Sequence, residues 1–438
     1  MSSFGRVVDT VAPPRLGTGF RWLLSSSWVS ALGDGLSLAA GPLLVASQTH
    51  QPFLVALAAL LQRLPWLLFG LYAGALADRI DRRRMVILWD GLRVVVLAFL
   101  AVTVATGWVD ITVVLVVMFL VGLAEVFASS ASRTLLPMLV HRDDLGIGNA
   151  RLMTGAIALN QLSGPPIGAF LFAAGMALPF VTQAVCVALG VVLIARVATP
   201  KGAVRDVGDT HIRRDIADGV RWLVGHAAVR TLAIAILTFN VTWAAAWAVL
   251  VLYSDEVLGL GSVGFGLLTT AAAVGGILST SCYGWLERHV PLARLMRTCL
   301  TLEVLLHLAF ALNRSPVIAF VLMFGFGCYA FVWGTVSQSV RQRAVPMEYL
   351  GRVGAAYSVG LYAGVVAGQA LGGLIADRWG LIAPFWFAFV GSAITLALLW
   401  RPLGQVALSD RTFGEHAGGE VEDLPPPDSS AGTCTAEN

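Results

Sequence analysis

The chain has 438 residues, of which 57% are hydrophobic and 13% are charged, and its mean hydropathy is +0.78. Soluble domains carry about 25% charged residues and single soluble cores stop growing near roughly 250–300 residues, so this composition excludes an ordinary water-soluble enzyme and predicts an integral membrane protein in contact with lipid. The 29 basic and 26 acidic residues give a net charge of only +3, which gives no indication of a nucleic-acid partner.

The positions of lysine and cysteine argue against a phosphate-binding loop and against a metal site or disulfide framework. The sole lysine, Lys201, follows Pro200, whereas a phosphate-binding loop needs Gly directly before its Lys. The cysteines lie far apart and lack metal-site or disulfide spacing. They are Cys186, Cys282, Cys299, Cys328 and Cys434. We expect no metal, no cofactor and no catalytic residues, because no nucleophile with a base and an orienting group stands out.

Twelve segments are long and apolar enough to cross a membrane as helices, which takes about 20 residues each. We predict them at 21–48, 54–77, 85–106, 110–131, 146–174, 177–197, 229–253, 263–286, 293–312, 316–338, 349–377 and 381–400. The expected fold is all-α, with six-helix bundles at 21–197 and 229–401. Residues 1–20 precede them, 198–228 link them, and 402–438 form an acidic tail that we expect to be disordered.

The basic residues predict the orientation of the chain. Cytoplasmic loops are enriched in Lys and Arg, and all but four of the 29 basic residues fall on the side of the two termini. The exceptions are Arg63, Arg93, Arg314 and Arg378. Both termini are therefore expected in the cytoplasm, in a multi-pass protein of the bacterial plasma membrane.

An internal repeat relates the two halves. At a shift of 205 residues, Gly146, Gly155 and Gly168 fall on Gly351, Gly360 and Gly373. Six helices return the chain to the same side, so the halves run parallel and are related by an axis along the membrane normal. We expect a substrate path between them near the midplane.

The first two spans each carry an ionisable residue near mid-membrane, Asp34 and Arg63. Such groups are costly in lipid unless they are paired or hydrated, so each is a functional candidate. We expect the two to pair. Asp34 either carries protons or contacts a cationic substrate, with Arg63 modulating its pKa, or the two form a fixed structural ion pair.

The loop after the second span reads Gly74-Ala-Leu-Ala-Asp78-Arg79-Ile-Asp81-Arg82-Arg-Arg. It resembles the signature loop of the major facilitator superfamily, with Asp81 where the commonest pattern has Gly. The resemblance covers nearly the whole chain, and the form of the loop is similar to that of drug:proton antiporters such as macrolide-efflux and enterobactin-exporter proteins.

This resemblance implies that Gly74, Asp78, Arg79 and Arg82 latch the two halves in the outward-facing state. Independently, Gly74 and Asp78 share one helical face, so the glycine admits a neighbouring helix beside an anion. The alternative is that the arginines only orient the protein.

Charges in the third and fourth spans have a structural and a functional interpretation. Asp90, Arg93 and Glu125 lie toward the cytoplasmic side, where a cluster would tie helix ends to the arginine-rich loop. Glu125 is also the second proton candidate. The intramembrane arginine of another common antiporter motif is missing between Ile111 and Ser132.

The fifth and eleventh spans carry packing motifs. Gly164, Pro165 and Gly168 resemble part of an antiporter motif and predict a kinked helix at the interface between halves. A stripe on the eleventh span is its suggested partner, either as a sliding contact or as static packing. The stripe consists of Gly360, Gly364, Gly368 and Gly372.

In the linker, apolar residues from Ile212 to Ala227 recur at helical spacing opposite arginines. This pattern predicts an amphipathic helix, either at the membrane interface or as a simple tether. On the ninth span, Glu303 and His307 share a face, and we expect a structural role for them.

Large aromatic and amide side chains in spans rich in small residues are candidates for the substrate cavity. The alternative for the tryptophans is a belt facing lipid. The candidates are Trp28, Asn160, Gln161, Asn240, Trp243, Trp247, Phe331 and Trp333.

Together these features predict a secondary transporter, functional as a monomer in lipid, that exports a hydrophobic or amphipathic small molecule such as a drug, macrolide or siderophore in exchange for protons by alternating access. The alternatives are an importer or an uncoupled facilitator of the same fold, or a membrane sensor or scaffold that does not transport.

Overall fold

The computed structural model describes residues 14–198, 212–346 and 349–422. The membrane helices are α1 (Gly17–Gln48), α2 (Pro52–Arg79), α3 (Arg82–Ala105), α4 (Ile111–Arg133), α5 (Leu145–Gly155, Ala156–Ser163 and Gly164–Ala174, end to end), α6 (Leu178–Ile194), α7 (Ala227–Trp247), α8 (Ser262–His289), α9 (Leu292–Leu312), α10 (Pro316–Ala344), α11 (Leu350–Trp379) and α12 (Ala383–Glu422). Shorter helices are Pro14–Leu16, Leu136–Leu139, Arg142–Asp144, Leu250–Leu252, Tyr253–Val257 and the linker helix, Ile212–Gly225.

The described residues are helical and contain no strand, so the all-α prediction is confirmed. Within them, 10 helices are long and apolar enough to cross a membrane. The other two predicted spans are α6, which has 17 residues, and α5, whose α-helix is interrupted by a π-helix at Ala156–Ser163.

The outer face of α3 shows why the fold needs lipid. Leu88, Val95, Phe99 and Val102 lie on one side of the helix and are 55–68% exposed. Apolar side chains repeated at helical spacing on an outer surface would be costly in water, whereas a bilayer accepts them.

Aspartates start two of the helices. Asp81 accepts a hydrogen bond from the backbone N–H of Arg84 at 3.2 Å and so caps α3. Asp110 caps α4 by accepting from the N–H groups of Thr112 and Val113 at 2.6 and 3.0 Å. The hydrogen bonds from Val113 and Thr112 hold the pKa of Asp110 below its ordinary value, because they stabilise the carboxylate.

The two bundles repeat one packing scheme. In the first, α1 packs on α5 and α6, α2 on α4, and α3 on α4 and α6. In the second, α7 packs on α11 and α12, α8 on α10, and α9 on α10 and α12. Each pair recurs six helices later, as expected from the sequence repeat.

The bundles meet through α2 on α11 and through α5 on α8. A Cβ built on Gly373 would lie 2.6 Å from the Cβ of Ala56, and one built on Gly266 would lie 2.5 Å from the Cβ of Ala169. These contacts lie at the side of the 49–51 and 258–261 connections, which we call the opposite side. The bundles are therefore closed against each other there.

Toward the arginine-rich side, which carries the α2–α3 turn and the linker helix, the same helices separate. A Cβ built on Gly70 or Gly74 of α2, or on Gly354 or Gly360 of α11, would meet no other described atom within 4 Å. At these four positions there is free space beside α2 and α11.

The linker helix and the end of α12 can be compared with the predictions for those segments. The linker helix packs on α11, where Gly219 contacts the backbone of Arg352 and Trp222 stacks on Tyr349 with 6.0 Å between ring centroids. Helix α12 runs on to Glu422, past residue 402 where the predicted acidic tail begins. Leu403 is fully buried. Residues 1–13, 199–211 and 423–438 lie outside the described residues.

Candidate substrate cavity and intramembrane charges

A cavity of about 480 Å³ lies between the two bundles. Its wall comes from α1, α2, α4, α5, α7, α8 and α10, so both halves contribute. Five of the predicted residues line it: Asn160, Gln161, Trp243, Trp247 and Phe331. Its size falls within the range of sites for drug-sized ligands.

Polar groups occupy a small part of this wall. Gln62, Arg63, Asn160 and Gln161 supply a guanidinium and three amides, and most other lining residues are apolar or aromatic. Arg63 is the one charged residue among the described residues that line the cavity.

Three predicted cavity residues lie elsewhere. Trp28 donates a hydrogen bond to the backbone oxygen of Arg151 at 3.1 Å, which turns it toward α5. Asn240 is buried and donates to the backbone oxygen of Ile236 at 2.7 Å. Trp333 is 2% exposed in the core of the second bundle. These side chains fill helix–helix contacts within one bundle.

The expected pair of Asp34 with Arg63 is wrong. Asp34 instead accepts a hydrogen bond from Nη2 of Arg93, on α3. Arg93 is 4% exposed, so its charge is compensated inside the bundle. Depth alone did not distinguish the two arginines, because the choice depends on which helix faces α1.

Two further carboxylates surround this pair. Arg93 interacts electrostatically with Glu125 and Asp90 as well as with Asp34. One guanidinium thus lies among three acids from α1, α3 and α4. The cluster joins α1, α3 and α4 inside the first bundle.

The cluster reaches the contact between bundles through Glu125. Tyr362 of α11 interacts electrostatically with Glu125 and Arg63, and its ring stacks on Trp66 of α2 with 5.3 Å between centroids. This tyrosine was missed from the sequence, since a single Tyr in a span carries no signal of its neighbours. A change of charge at Glu125 in the first bundle therefore takes place next to Tyr362 of the second bundle.

The signature loop lies at the arginine-rich side. Arg79 is exposed, and Arg82 contacts Sδ of Met138 at 2.9 Å. The side chain of Asp78 lies outside what the structure describes, and its backbone lies in the last turn of α2. Asp81, which departs from the commonest pattern, is the N-cap of α3.

The glycines of α5 and α11 contact their own bundles, not each other. Gly164 and Gly168 pack against Gly35 and Leu36 of α1. On α11, Gly364, Gly368 and Gly372 pack against α7, and Gly360 faces open space. The predicted α5–α11 partnership is therefore wrong. Proline Pro165 does lie at the interface between halves, against Gly266 of α8.

A second buried polar network lies in α9 and α10. Nε2 of His307 is 2.8 Å from Oε1 of Glu303, and the hydroxyl of Tyr329 donates to the other carboxylate oxygen. Glu303 is 1% exposed and His307 fully buried. Trp247 lies edge-on to His307, 6.4 Å between centroids, and separates the network from the cavity.

Comparison with known proteins identifies the family. The model of the transmembrane secretion effector family matches residues 9–410. The multidrug efflux pump Tap of Mycolicibacterium fortuitum is 27% identical over 401 residues, which are 88% of this chain and 94% of that protein.

Solved structures share the fold. A bacterial homologue of the iron transporter ferroportin in the inward-facing state has a TM-score of 0.69 at 18% identity, covering 89% of this chain and 98% of that one. A bacterial homologue of the lysosomal transporter Spinster, also inward-facing, has a TM-score of 0.66 at 13% identity, covering 92% and 98%. The chain therefore belongs to the transmembrane secretion effector family and is a multi-pass transporter of the major facilitator fold.

Proposed function

We propose that this transporter exports amphipathic small molecules from the bacterial cytoplasm in exchange for protons. The observation that carries the proposal is the cavity between the bundles together with the acid cluster beside it: Asp34 lies one helical turn before Leu38, which lines the cavity. The efflux activity named for the relative from Mycolicibacterium fortuitum supports the outward direction.

Alternating access follows from how the bundles touch. With the arginine-rich side in the cytoplasm, the open end receives substrate from inside the cell, while the Ala56–Gly373 contact closes the outer end. Rocking of one bundle against the other would bring the Gly70–Gly74 face of α2 toward α11. In that outward-facing state Gly74, Asp78, Arg79 and Arg82 act as the latch.

Proton coupling is assigned to Asp34, with Glu125 as the second site. Protonation of Asp34 removes one of the charges that compensate Arg93, so the guanidinium shifts its interaction toward Glu125 and Asp90. Glu125 lies beside Tyr362 of the second bundle, and this shift is the step that biases the bundles toward one state. The protein works as a monomer in lipid.

The test measures accumulation of a compound panel in an efflux-deficient bacterium, with and without an uncoupler. Wild type is expected to lower accumulation of at least one compound, and the uncoupler to abolish the effect. Asp34→Asn should lose uncoupler-sensitive export by at least about tenfold. Asp110→Asn is the matched control, because it removes a carboxylate outside the membrane and keeps a good helix cap.

Each other outcome contradicts a named part of the proposal. Uncoupler-insensitive export indicates a facilitator, and higher accumulation than in the empty strain indicates an importer. No change for any compound favours a sensor or scaffold. Full proton-driven export by Asp34→Asn removes Asp34 from the coupling mechanism.

A further inference from the structure

Arg63 is a charged group in the wall of the cavity, where Tyr362 interacts with it electrostatically. Its guanidinium makes no hydrogen bond or salt bridge with any residue that the structure describes. Arginine stays protonated in proteins, so it cannot relieve this by losing its charge. An ionised group inside the membrane costs several kcal/mol unless it is paired or hydrated.

The nearby carboxylates are engaged elsewhere. Asp34 binds Arg93, and Glu125 interacts with Arg93 and Tyr362 without forming a salt bridge to Arg63. Arg63 is also the one charge among the described lining residues. Among the described lining residues, the wall of the cavity therefore carries one positive charge, which an acidic ligand can pair with directly.

The rest of the wall defines the other part of such a ligand. Trp243, Trp247 and Phe331 present aromatic surface, and the amides of Asn160 and Gln161 add hydrogen-bonding groups. Flat apolar molecules stack on such rings, while a planar guanidinium binds a carboxylate through two parallel hydrogen bonds.

We infer that the transported substrate is an anionic amphiphile, an aromatic molecule carrying one carboxylate or comparable acid, with Arg63 as its specificity-determining contact. The inference rests on the proposed transport function and narrows its substrate class. A cationic amphiphile would place its charge next to the like charge of Arg63 and is selected against.

The test uses three probes of the same shape: 1-pyrenebutyrate, 1-pyrenebutyramide and 1-pyrenebutylamine. Each is titrated into the detergent-solubilised full-length protein, and energy transfer from tryptophan to pyrene reports binding. Wild type is expected to bind the carboxylate about tenfold more tightly than the amide, with the amine weakest.

Arg63→Gln should bring the carboxylate and amide affinities to within about twofold, and Arg63→Lys should keep part of the preference. Arg378→Gln is the matched control, because this exposed arginine lies outside the cavity, and it should behave as wild type. The ratio of two affinities within one sample does not depend on how much of a variant folds.

Three results overturn the inference: tightest binding of the amine, an unchanged carboxylate-to-amide ratio in Arg63→Gln, or binding of none of the probes. Uncoupler-sensitive efflux of the separate compound panel tests transport itself. Export restricted to cations would therefore reject the anionic substrate and leave the export function standing.

Discussion

An ionisable side chain inside the membrane is stable when a partner group compensates its charge or satisfies its hydrogen bonds. Asp34 and Arg93 compensate each other, and Glu303 receives hydrogen bonds from His307 and Tyr329. Removing one member of a buried pair leaves the other charged or polar group without compensation. The two networks differ in position: one borders the cavity and the contact between bundles, and the other lies behind Trp247.

For the second network we expect a structural effect. Glu303→Ala should lower the free energy of unfolding by about 3–5 kcal/mol, because it leaves His307 and Tyr329 buried without their acceptor. Glu287→Ala is the control: this carboxylate pairs with Arg343 at 3.1 Å, but both groups are 40% or more exposed, so its loss should cost less than about 1 kcal/mol. Thermal unfolding in detergent, followed by tryptophan fluorescence, measures both. Equal midpoints for the two variants would contradict a stabilising role of the network.

At the scale of helices, small residues decide how closely two elements approach. The glycines of α11 hold it against α7, and those of α5 hold it against α1, so each stripe belongs to the interior of a bundle. The π-helix Ala156–Ser163 directly precedes Gly164 and Pro165, which places the irregular part of α5 beside the cavity at Asn160 and Gln161. Such interruptions are frequent at functional sites.

Gly372→Ala and Gly360→Ala form a matched pair on one helix. A Cβ at Gly372 clashes with the backbone oxygen of Ala245, whereas a Cβ at Gly360 meets open space. We expect Gly372→Ala to destabilise the protein by about 1–3 kcal/mol through overpacking, and Gly360→Ala to leave stability unchanged or slightly improved. Melting curves of the two purified variants test this. A larger loss for Gly360→Ala would show that the stripe faces a different partner.

At the scale of the molecule, the two bundles are joined by shared hydrophobic packing. One hydrophobic cluster contains residues of both halves, including Val55 and Tyr253, whereas another, around Phe20 and Met85, is built within the first half among the described residues. On the opposite side His50 lies 3.4 Å from Glu256 of the other bundle. Rocking of the bundles would separate residues of the shared cluster and leave the first-half cluster packed.

A disulfide across the closed end should therefore stop transport. With Ala56→Cys and Gly373→Cys, the two Cβ positions lie 2.6 Å apart, so a small separation of α2 and α11 reaches disulfide geometry. Oxidation is expected to reduce export at least about tenfold, and a reductant to restore it. Ala56→Cys alone should be insensitive to oxidation. Normal export by the fully cross-linked protein would contradict opening at this end.

Much of the fold can be predicted from the sequence alone. Hydropathy and spacing predicted the all-α membrane fold, and the sequence repeat agrees with the packing scheme that recurs six helices later. These properties are local, since a span must be apolar wherever it lies. The aromatic residues Trp243, Trp247 and Phe331 were also found this way, because large rings in spans of small residues are conspicuous.

Tertiary structure decided which groups meet. The partner of Asp34, the helix beneath the α11 stripe and the second-bundle neighbour of Glu125 depend on the rotation of each helix about its axis and on which helices are adjacent. Position along the chain gives the depth of a residue but not the direction of its side chain relative to another helix. For that reason the sequence identified Asp34 and Arg63 as important charges but did not determine their neighbours. In the packed bundles, Asp34 pairs with Arg93 and Arg63 lines the cavity.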